Sequence, residues 1–386
     1  MMRDILTSFL KIGLTAYGGP AIQGVMQAEF QERRQWVTKA QFVEALAFVN
    51  MLPGATATQL GIFLGYHRAG WLGGLLAGVG FCMPAFAILL ALTMAYTALG
   101  VTPLLRSALY GLGPIVVAVF AVAVYRLGGN ALRSRRHVVL AVGAAAAALF
   151  APIATVWILL FAGGVGLFLF YSRRVGLLVL LGVALTLVAA RVVTWTPRFA
   201  TATAGSAPGL LDIAVQFAII GTFTFGGSLS ILALIQDQFV HHLGWLTMQE
   251  FIDGLALGQL TPGPPVMLAT YVGYKTLGVV GAIVGATAIF LPSFLMMFAL
   301  LPVFERVRTI TWAKAALQGM VAGVIGVLAV MLMRLAPHAI VDPFSAAVFV
   351  GAATAMLFWR VAPLPMVGSG AVLGIVRRRL VGALGI

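Results

Sequence analysis

The chain has 386 residues, of which 61% are hydrophobic and 9% are charged, and its mean hydropathy is +1.06. A soluble domain carries about a quarter charged residues, so the composition excludes a soluble protein and indicates a polytopic membrane protein. The net charge of +14 does not indicate nucleic-acid binding, because Lys and Arg occur in short clusters between apolar stretches. That distribution is typical of cytoplasmic loops and of contacts with anionic headgroups of the lipid bilayer.

Apolar stretches follow one another along the whole chain, and crossing a bilayer takes about 20 such residues. They predict an all-α polytopic membrane protein with spans near residues 5–27, 40–66, 71–99, 103–125, 137–151, 153–171, 175–193, 210–234, 249–275, 277–302, 312–334, 338–360 and 363–384. The stretch 198–209, rich in Thr, Ala, Gly, Ser and Pro, is the predicted linker. It separates an N-terminal unit, residues 1–197, from a C-terminal unit, residues 210–386.

The two halves repeat each other, with about six to seven spans in each. Residues 9–19 align with 217–227 at an offset of 208, at which Glu29 falls on Asp237. At an offset of 209, Trp36 aligns with Trp245, and Leu-Pro-Gly-Ala at 52–55 aligns with Thr-Pro-Gly-Pro at 261–264. Matched aromatics, prolines and acids in register indicate an internal duplication.

The charge distribution predicts that the second copy is inverted. Arg33, Arg34 and Lys39 lie between the first two spans, whereas the equivalent stretch 235–249 contains no Lys or Arg. Because positive residues favour the cytoplasmic side, this asymmetry places the equivalent loops on opposite faces.

The second span of each copy is predicted to be broken in the middle. Thr38-x-x-Gln41 and Thr247-x-x-Glu250 are capping boxes that begin these helices. Pro53 and Pro262 then interrupt them, because proline lacks an N–H and clashes with the preceding turn. Two half-helices, or a re-entrant hairpin, would meet at membrane depth, where exposed backbone survives only against protein or water.

The start of a half-helix is a natural anion site, because its first N–H groups are free and the helix dipole is positive there. Gly54, Ala55 and Thr56 are the expected free donors, and the Gly-Gly interruptions of the first spans let a ligand approach closely. A mere packing kink is the alternative for each break. The candidate substrate-binding residues are Tyr17, Gly18, Gly19, Pro20, Pro53, Gly54, Ala55, Thr56, Thr58, Gln59, Phe225, Gly226, Gly227, Ser228, Pro262, Gly263 and Pro264.

A few charged residues are candidates for coupling or for attracting an anion. Glu44 and Asp253 lie at equivalent positions inside the capped helices, and they are either proton-coupling groups or partners of the helix N-terminus. The candidates for anion attraction are Arg33, Arg34, His67, Arg68 and Lys275. A cytoplasmic topology signal explains Arg33 and Arg34 better than anion attraction does, and interfacial snorkelling explains the other three equally well.

No enzyme motif, metal-site spacing or cofactor motif is present in the sequence, so neither a cofactor nor a metal is predicted. A membrane-embedded enzyme is the alternative of another class. It would need clustered acids, histidines or serines at the headgroup level, and the sequence gives no such cluster.

The combined motifs resemble the chromate ion transporter family, in its long two-domain form. They are F-x-x-x-G-x-x-x-[FY]-G-G at 9–19 and 217–227, E-x-x-x-R-R-x-W at 29–36, and Pro-Gly at 53–54 and 262–263. The resemblance implies a bacterial inner-membrane secondary transporter that exports chromate and confers chromate resistance, with sulfate as the related oxyanion. Many members have a histidine where Gln23 stands and Pro-Gly-Pro where Ala55 follows Gly54, so Gln23 joins the candidate substrate-binding residues. A homodimer is one possible assembly.

The membrane potential favours export of a dianion. Moving one charge through 100 mV changes its free energy by about 2.3 kcal/mol. The free energy of a dianion that leaves an inside-negative cell therefore falls by about 4.6 kcal/mol. We therefore expect alternating access around Pro53 and Pro262 with no co-transported ion. Proton-coupled uptake of sulfate or a related oxyanion, through Glu44 and Asp253, is the alternative.

Overall fold

The computed structural model describes residues 1–17, 19–98, 100, 102–151, 153–192, 208–225, 229–303, 311–359 and 361–384, which confirm the predicted all-α fold. The first half contains α1 (Met2–Thr15), α2 (Gly19–Met26), α3 (Lys39–Val49), α4 (Thr56–Ala98), α5 (Pro103–Ala131), α6 (Arg135–Phe150), α7 (Thr155–Phe170) and α8 (Arg173–Val192). The second half contains α9 (Leu210–Thr222), α10 (Ser230–Ile235), α11 (Met248–Leu260), α12 (Leu268–Leu300), α13 (Thr311–Ala339), α14 (Pro343–Phe358) and α15 (Pro363–Leu384). The predicted linker falls mostly in 193–207, outside the described residues.

Among the described residues, four helical segments are long and apolar enough to cross a membrane. They are α4, α5, α13 and the segment Pro265–Val303, which contains α12. Short π-helices, Gln27–Arg33 and Gln236–His242, extend α2 and α10. The helices are shorter than predicted in the segments 5–27, 40–66, 210–234 and 249–275, because those segments do not cross from face to face. The helices α6, α8 and α15 are about as long as their predicted spans.

The helix α4 is a hairpin rather than one rod. Its backbone leaves helical geometry at Ala69 and Gly70, and Gly70 has a φ of +62°. The two arms then pack so closely that a Cβ on Gly65 would lie 2.3 Å from the carbonyl oxygen of Gly73. The helix α12 reverses in the same way at Gly278, so each repeat contains one helical hairpin with a short and a long arm.

The broken spans are re-entrant. Both predicted capping boxes are present at Thr38 and Thr247. Nε2 of Gln41, at the start of α3, lies 3.3 Å from Nε2 of His67, close to the bend of α4 at Gly70. The chain therefore returns to the face from which α3 entered. With 11 residues, α3 is about 16 Å long, which is half of the hydrocarbon thickness. Of the two arrangements that the sequence allowed, the structure has the re-entrant one, in which α3 and the short arm of α4 lie on either side of a turn at Pro53 and Gly54.

The first spans are re-entrant as well. Asp4 in α1 pairs with Arg34 after the π-helix, which brings both ends of this segment to one face. Inside the segment, Phe30 stacks on Phe9 with ring centroids 4.7 Å apart and lies 4.4 Å from the ring of Trp36.

The second repeat reproduces this aromatic cluster, because Phe239 contacts Phe217 and Trp245 with centroids 4.8 and 5.2 Å apart. Phe30 therefore corresponds to Phe239 at an offset of 209. The expected alignment of Glu29 with Asp237 is wrong by one residue, because the insertion lies earlier in the chain than the sequence comparison placed it.

The two repeats are inverted relative to each other. The long arms of the two hairpins pack side by side, and Gly74 faces Phe298 whereas Gly78 faces Phe294. This reversed order means that equivalent helices run antiparallel, as a two-fold axis in the membrane plane requires. Within the described residues the helix α8 has no counterpart in the second repeat, and it runs from the arginine-containing face of Arg173 to the opposite face.

Helices of each repeat pack against helices of the other repeat, and the directions of α4 and α5 define the two faces of the protein. In the second half of each repeat, α13 packs against α6 and α7, and α5 packs against α14 and α15. The long arm of α4 leads away from the face of Arg33 and Arg34, and α5 returns to it. We call this the arginine face, defined by Arg33, Arg34, Arg133, Arg135 and Arg136.

Candidate functional site

The two Pro-Gly tips meet the other repeat in the interior of the protein. The N–H of Gly54 donates to the carbonyl of Thr224 over 2.7 Å, and the N–H of Gly263 donates to the carbonyl of Ala16 over 2.9 Å. Tyr17 pairs with Gly263 in the same contact. Each Pro-Gly turn thus donates a hydrogen bond to a carbonyl just beyond the first helix of the opposite repeat. Both glycines have a positive φ (+121° and +99°), which favours glycine.

The tips also touch the long arms of the hairpins, and here the repeats differ. The N–H of Ala55 donates to Oγ of Ser293 over 3.1 Å. In the second repeat Pro264 has no N–H to donate, and Ala85 stands where Ser293 stands on the other side. Because Ser293 and Ala85 are equivalent at the offset of 208, the hydroxyl occurs only where an N–H needs it.

These bonds correct the expected set of donors. The sequence predicted free N–H groups at Gly54 and Ala55, but both have acceptors from the second repeat. The helix α4 begins at Thr56 rather than at the proline, and helix geometry leaves the N–H groups of Thr56, Ala57 and Thr58 without intrahelical acceptors. All three residues are buried, so the positive end of α4 lies inside the protein.

Gln59 connects this helix start to the break. Its Nε2 donates to the carbonyl of Pro53 over 2.7 Å. Its Oε1 is buried and has no hydrogen-bond partner within the described part of the chain. A buried polar atom without a partner marks a position where a water or a ligand is expected. We call the surroundings of Gly54, Thr56, Gln59, Ser293 and Gly263 the central junction.

The other candidate substrate-binding residues lie in α2, at the second Pro-Gly turn and against the hydrophobic core. Gly19 and Pro20 begin α2, Gln23 is half-buried on the same helix, and Pro262 and Pro264 are buried at the second tip. Phe225 packs against the hydrophobic core. Gly18, Gly226, Gly227 and Ser228 lie outside the described residues.

The two candidate coupling acids have different surroundings. Asp253 is buried, and it accepts hydrogen bonds from the hydroxyl of Tyr96 over 2.8 Å and from Nε2 of Gln249 over 3.0 Å. The hydroxyl of Tyr271 is also buried nearby, with no hydrogen-bond partner in the described chain. Its equivalent in the first repeat is a phenylalanine, Phe63, and Glu44 is only half-buried. The second repeat therefore contains the more enclosed carboxylate.

The candidate residues for anion attraction lie at the two faces rather than at the central junction. Arg33 pairs with Glu29 at 3.0 Å, as the i,i+4 spacing predicts, and Arg34 contacts Glu29 and Asp4 at 2.6 Å. The hydrogen bond from Arg34 holds the pKa of Glu29 below its usual value.

The remaining three candidates are engaged near the hairpin tips. Lys275 pairs with Glu250 at 2.8 Å, which is the counterpart of the Gln41–His67 contact. The guanidinium of Arg68 lies 5.6 Å from the ring centroid of Trp36. Most of these charges are therefore already partnered.

Sequence reasoning missed the residues that complete each contact, namely Thr224, Ser293, Tyr96 and Tyr271. Only Ser293 had a usable signal, since it follows the matched Pro292 and differs from its equivalent, Ala85. Tyr96 stands in a helix that the sequence gives no reason to bring beside Asp253, and Tyr271 lies beyond the Pro262 break of the same predicted span.

The fold and junction define a polytopic α-helical membrane protein built from two inverted repeats with re-entrant hairpins. The chain belongs to the chromate transporter family, whose family model, described as chromate transporter, matches residues 3–167 and 211–375. These two matched regions are displaced by the same 208 residues that relate the repeats.

Curated relatives cover most of the chain. A chromate transport protein of Cupriavidus metallidurans is 30% identical over 97% of this chain and 93% of its own length. A chromate transport protein of Pseudomonas aeruginosa is 34% identical over 86% of this chain and 80% of its own, and a probable chromate transport protein of Synechococcus elongatus is 30% identical over 79% and 77%. No solved structure matches the chain.

Proposed function

We propose that this protein exports chromate, a tetrahedral oxyanion, across the bacterial inner membrane by alternating access driven by the membrane potential. The observation that carries the proposal is the buried N-terminus of α4 at the central junction. There the N–H groups of Thr56, Ala57 and Thr58 have no intrahelical acceptors, and the helix dipole is positive. Chromate is proposed as the substrate because the chain belongs to the chromate transporter family and resembles the chromate transport proteins of Cupriavidus metallidurans and Pseudomonas aeruginosa.

The crossed hydrogen bonds of the central junction suggest how access alternates. Gly54 is bonded to Thr224 and Gly263 to Ala16, so the two repeats hold each other shut by equivalent bonds. Releasing one bond of the pair would open the junction towards one face, and releasing its counterpart would open it towards the other. The inverted symmetry gives the two open states similar free energies, which is what alternating access needs.

Topology and charge support the outward direction. Positive residues concentrate on the arginine face, which is therefore the cytoplasmic face by the positive-inside rule. The free energy of a dianion that moves away from that face falls by about 4.6 kcal/mol at 100 mV, inside negative. No coupling ion is required for this direction.

The proposal is tested by flux of labelled chromate and sulfate in vesicles of both orientations with the potential clamped. We expect chromate to move towards the positive side, at a rate that rises with the potential and does not need a pH gradient. Flux that stops when the pH gradient is collapsed, at constant potential, would contradict potential-driven export.

A second candidate is proton-coupled uptake of sulfate or a related oxyanion. The buried Asp253, held by Tyr96 and Gln249, favours this candidate, because buried carboxylates in membrane proteins are often proton sites. In that case uptake by right-side-out vesicles would depend on an inward proton gradient, and sulfate would compete with chromate.

A further inference from the structure

A cavity of about 560 Å³ opens on the face opposite the arginine face, where α6 ends and α11 begins. None of its residues belongs to the central junction. The lining residues that carry charge or can gain it are Asp237, His241, His242, Arg334 and His338. We call this cavity the histidine vestibule.

Arg334 makes the vestibule suitable for an anion. Its side chain is half-buried, and one of its five N–H donors is bonded to the carbonyl of Ala148 over 2.8 Å. A guanidinium stays positive at any pH at which the protein is folded, and its remaining donors match an oxyanion better than a metal cation. The opposing carboxylate of Asp237 is engaged, because its Oδ2 accepts from the N–H of Thr155 over 2.9 Å at the start of α7.

The imidazoles add charge that depends on pH. Nδ1 of His242 lies 2.8 Å from the carbonyl of Asp237, and Nδ1 of His338 lies 3.1 Å from the carbonyl of Arg334. Because a carbonyl only accepts, each Nδ1 is a donor and Nε2 is the nitrogen that gains a proton in acid. Burial and the neighbouring Arg334 lower the pKa of His241.

We propose that the histidine vestibule is a second binding site for a tetrahedral oxyanion, separate from the central junction and strengthened by acid. Arg334 supplies the permanent charge, and the protonated imidazoles supply further donors. The proposal takes its ligand class from this chemistry, and it rests on the proposed function only for the choice of chromate as the probe.

The cavity beside the vestibule is too small for an anion. A neighbouring cavity of about 20 Å³ shares Asp237 and Arg334 with it and extends along α10 and α13 to Ala233 and Met331. That volume holds about one water molecule and no tetrahedral anion. The vestibule is therefore a surface site, at the exit of an exporter or at the entrance of an importer.

The inverted symmetry provides a matched control. Arg126 is the equivalent of Arg334 at the offset of 208, and it donates to the carbonyl of Met356 as Arg334 does to the carbonyl of Ala148. It lies towards the arginine face, and Asn130 takes the place of His338. Arg126 thus has the same structural role without the histidines.

The test is equilibrium binding of labelled chromate to the purified full-length protein at pH 6, with thermal stability followed in parallel. We expect Arg334→Gln to weaken binding to one of two classes of site by about tenfold, as loss of a charged donor does. Arg126→Gln should leave both classes intact, and Arg334→Lys should retain most of the affinity. Equal losses in Arg334→Gln and Arg126→Gln, or a single class of site in the wild type, would overturn the proposal.

The acid dependence gives an independent measurement. Binding of labelled sulfate, which stays a dianion from pH 8 to pH 6, should tighten at the vestibule over this range, and the double variant His242→Asn/His338→Asn should lose that dependence while keeping its thermal midpoint. An unchanged pH dependence in the double variant counts against the site. Failure of the proposed function would look different. If the protein binds chromate at Arg334 but does not move it across the vesicle membrane, the vestibule proposal stands and the proposed export is wrong.

Discussion

The N–H of Ala55 donates to Oγ of Ser293 across a separation of 238 residues, and this bond joins the two repeats at the central junction. It has no counterpart on the other side of the pseudo-symmetry axis, where the equivalent residues are Pro264, which has no N–H, and Ala85, which has no hydroxyl. The junction is therefore symmetric in backbone and asymmetric in chemistry. The first repeat offers the helix start with its amide donors, and the second offers the hydroxyl that holds it in place.

Replacing Ser293 by alanine should destabilise the protein. The N–H of Ala55 would be left buried without an acceptor, at a cost of about 1–3 kcal/mol. The measurement is the thermal midpoint in detergent, with Ser369→Ala as the control because that hydroxyl bonds only within its own exposed helix turn. Equal midpoints for the two variants would show that the Ser293 bond contributes nothing.

Replacing Gly54 by alanine should reduce chromate transport at least tenfold while leaving membrane insertion intact. A Cβ at this position would lie 2.3 Å from Oγ of Ser293, and the φ of +121° strains any residue with a side chain by about 1–3 kcal/mol. The matched control is Gly258→Ala, where an added Cβ meets no atom within 4 Å. Transport at the wild-type rate in Gly54→Ala would argue against a role for the central junction in transport.

Replacing Asp253 by asparagine separates the two candidate functions. Potential-driven export should continue within about threefold of the wild-type rate, because no proton is carried and asparagine retains most of the shape. Proton-coupled uptake should instead be abolished. The measurement is vesicle flux with and without a pH gradient, and Glu32→Gln at an exposed position controls for the loss of one acid.

The pH dependence of stability should include a contribution from Asp342, in the loop before α14. Hydrogen bonds from Tyr110 and Ser345, with the charge of Arg377, lower the pKa of this carboxyl to about 2. In the unfolded chain the pKa of an aspartate is about 3.9. The stabilisation is therefore complete above about pH 3.9 and is lost as the pH falls from there through about 2.

The variant Asp342→Asn isolates that charge, because asparagine is also a good N-cap residue. Its thermal midpoint should lie below that of the wild type at pH 7, and the difference should shrink steadily towards pH 3. A difference that stays constant over this range would mean that the ionised carboxylate does not account for the effect.

Several features were accessible from the sequence because their causes are local. The low content of charged residues determined a lipid-facing protein, and the missing N–H of Pro53 and Pro262 determined where the two helices break. The capping boxes at Thr38 and Thr247 fixed where those helices begin, since the bonds span three residues. The duplication was visible in matched aromatics and prolines, and the family followed from the same motifs.

Only the tertiary structure decided which of these local features face each other. The acceptors of Gly54 and Ala55 come from the other repeat, so the sequence wrongly left those N–H groups free. The burial of Asp253 against Tyr96 depends on contact between α11 and the long arm of α4. The histidine vestibule collects side chains from three separate segments at one face. Inversion brings these groups together, and it is a property of how the whole chain packs.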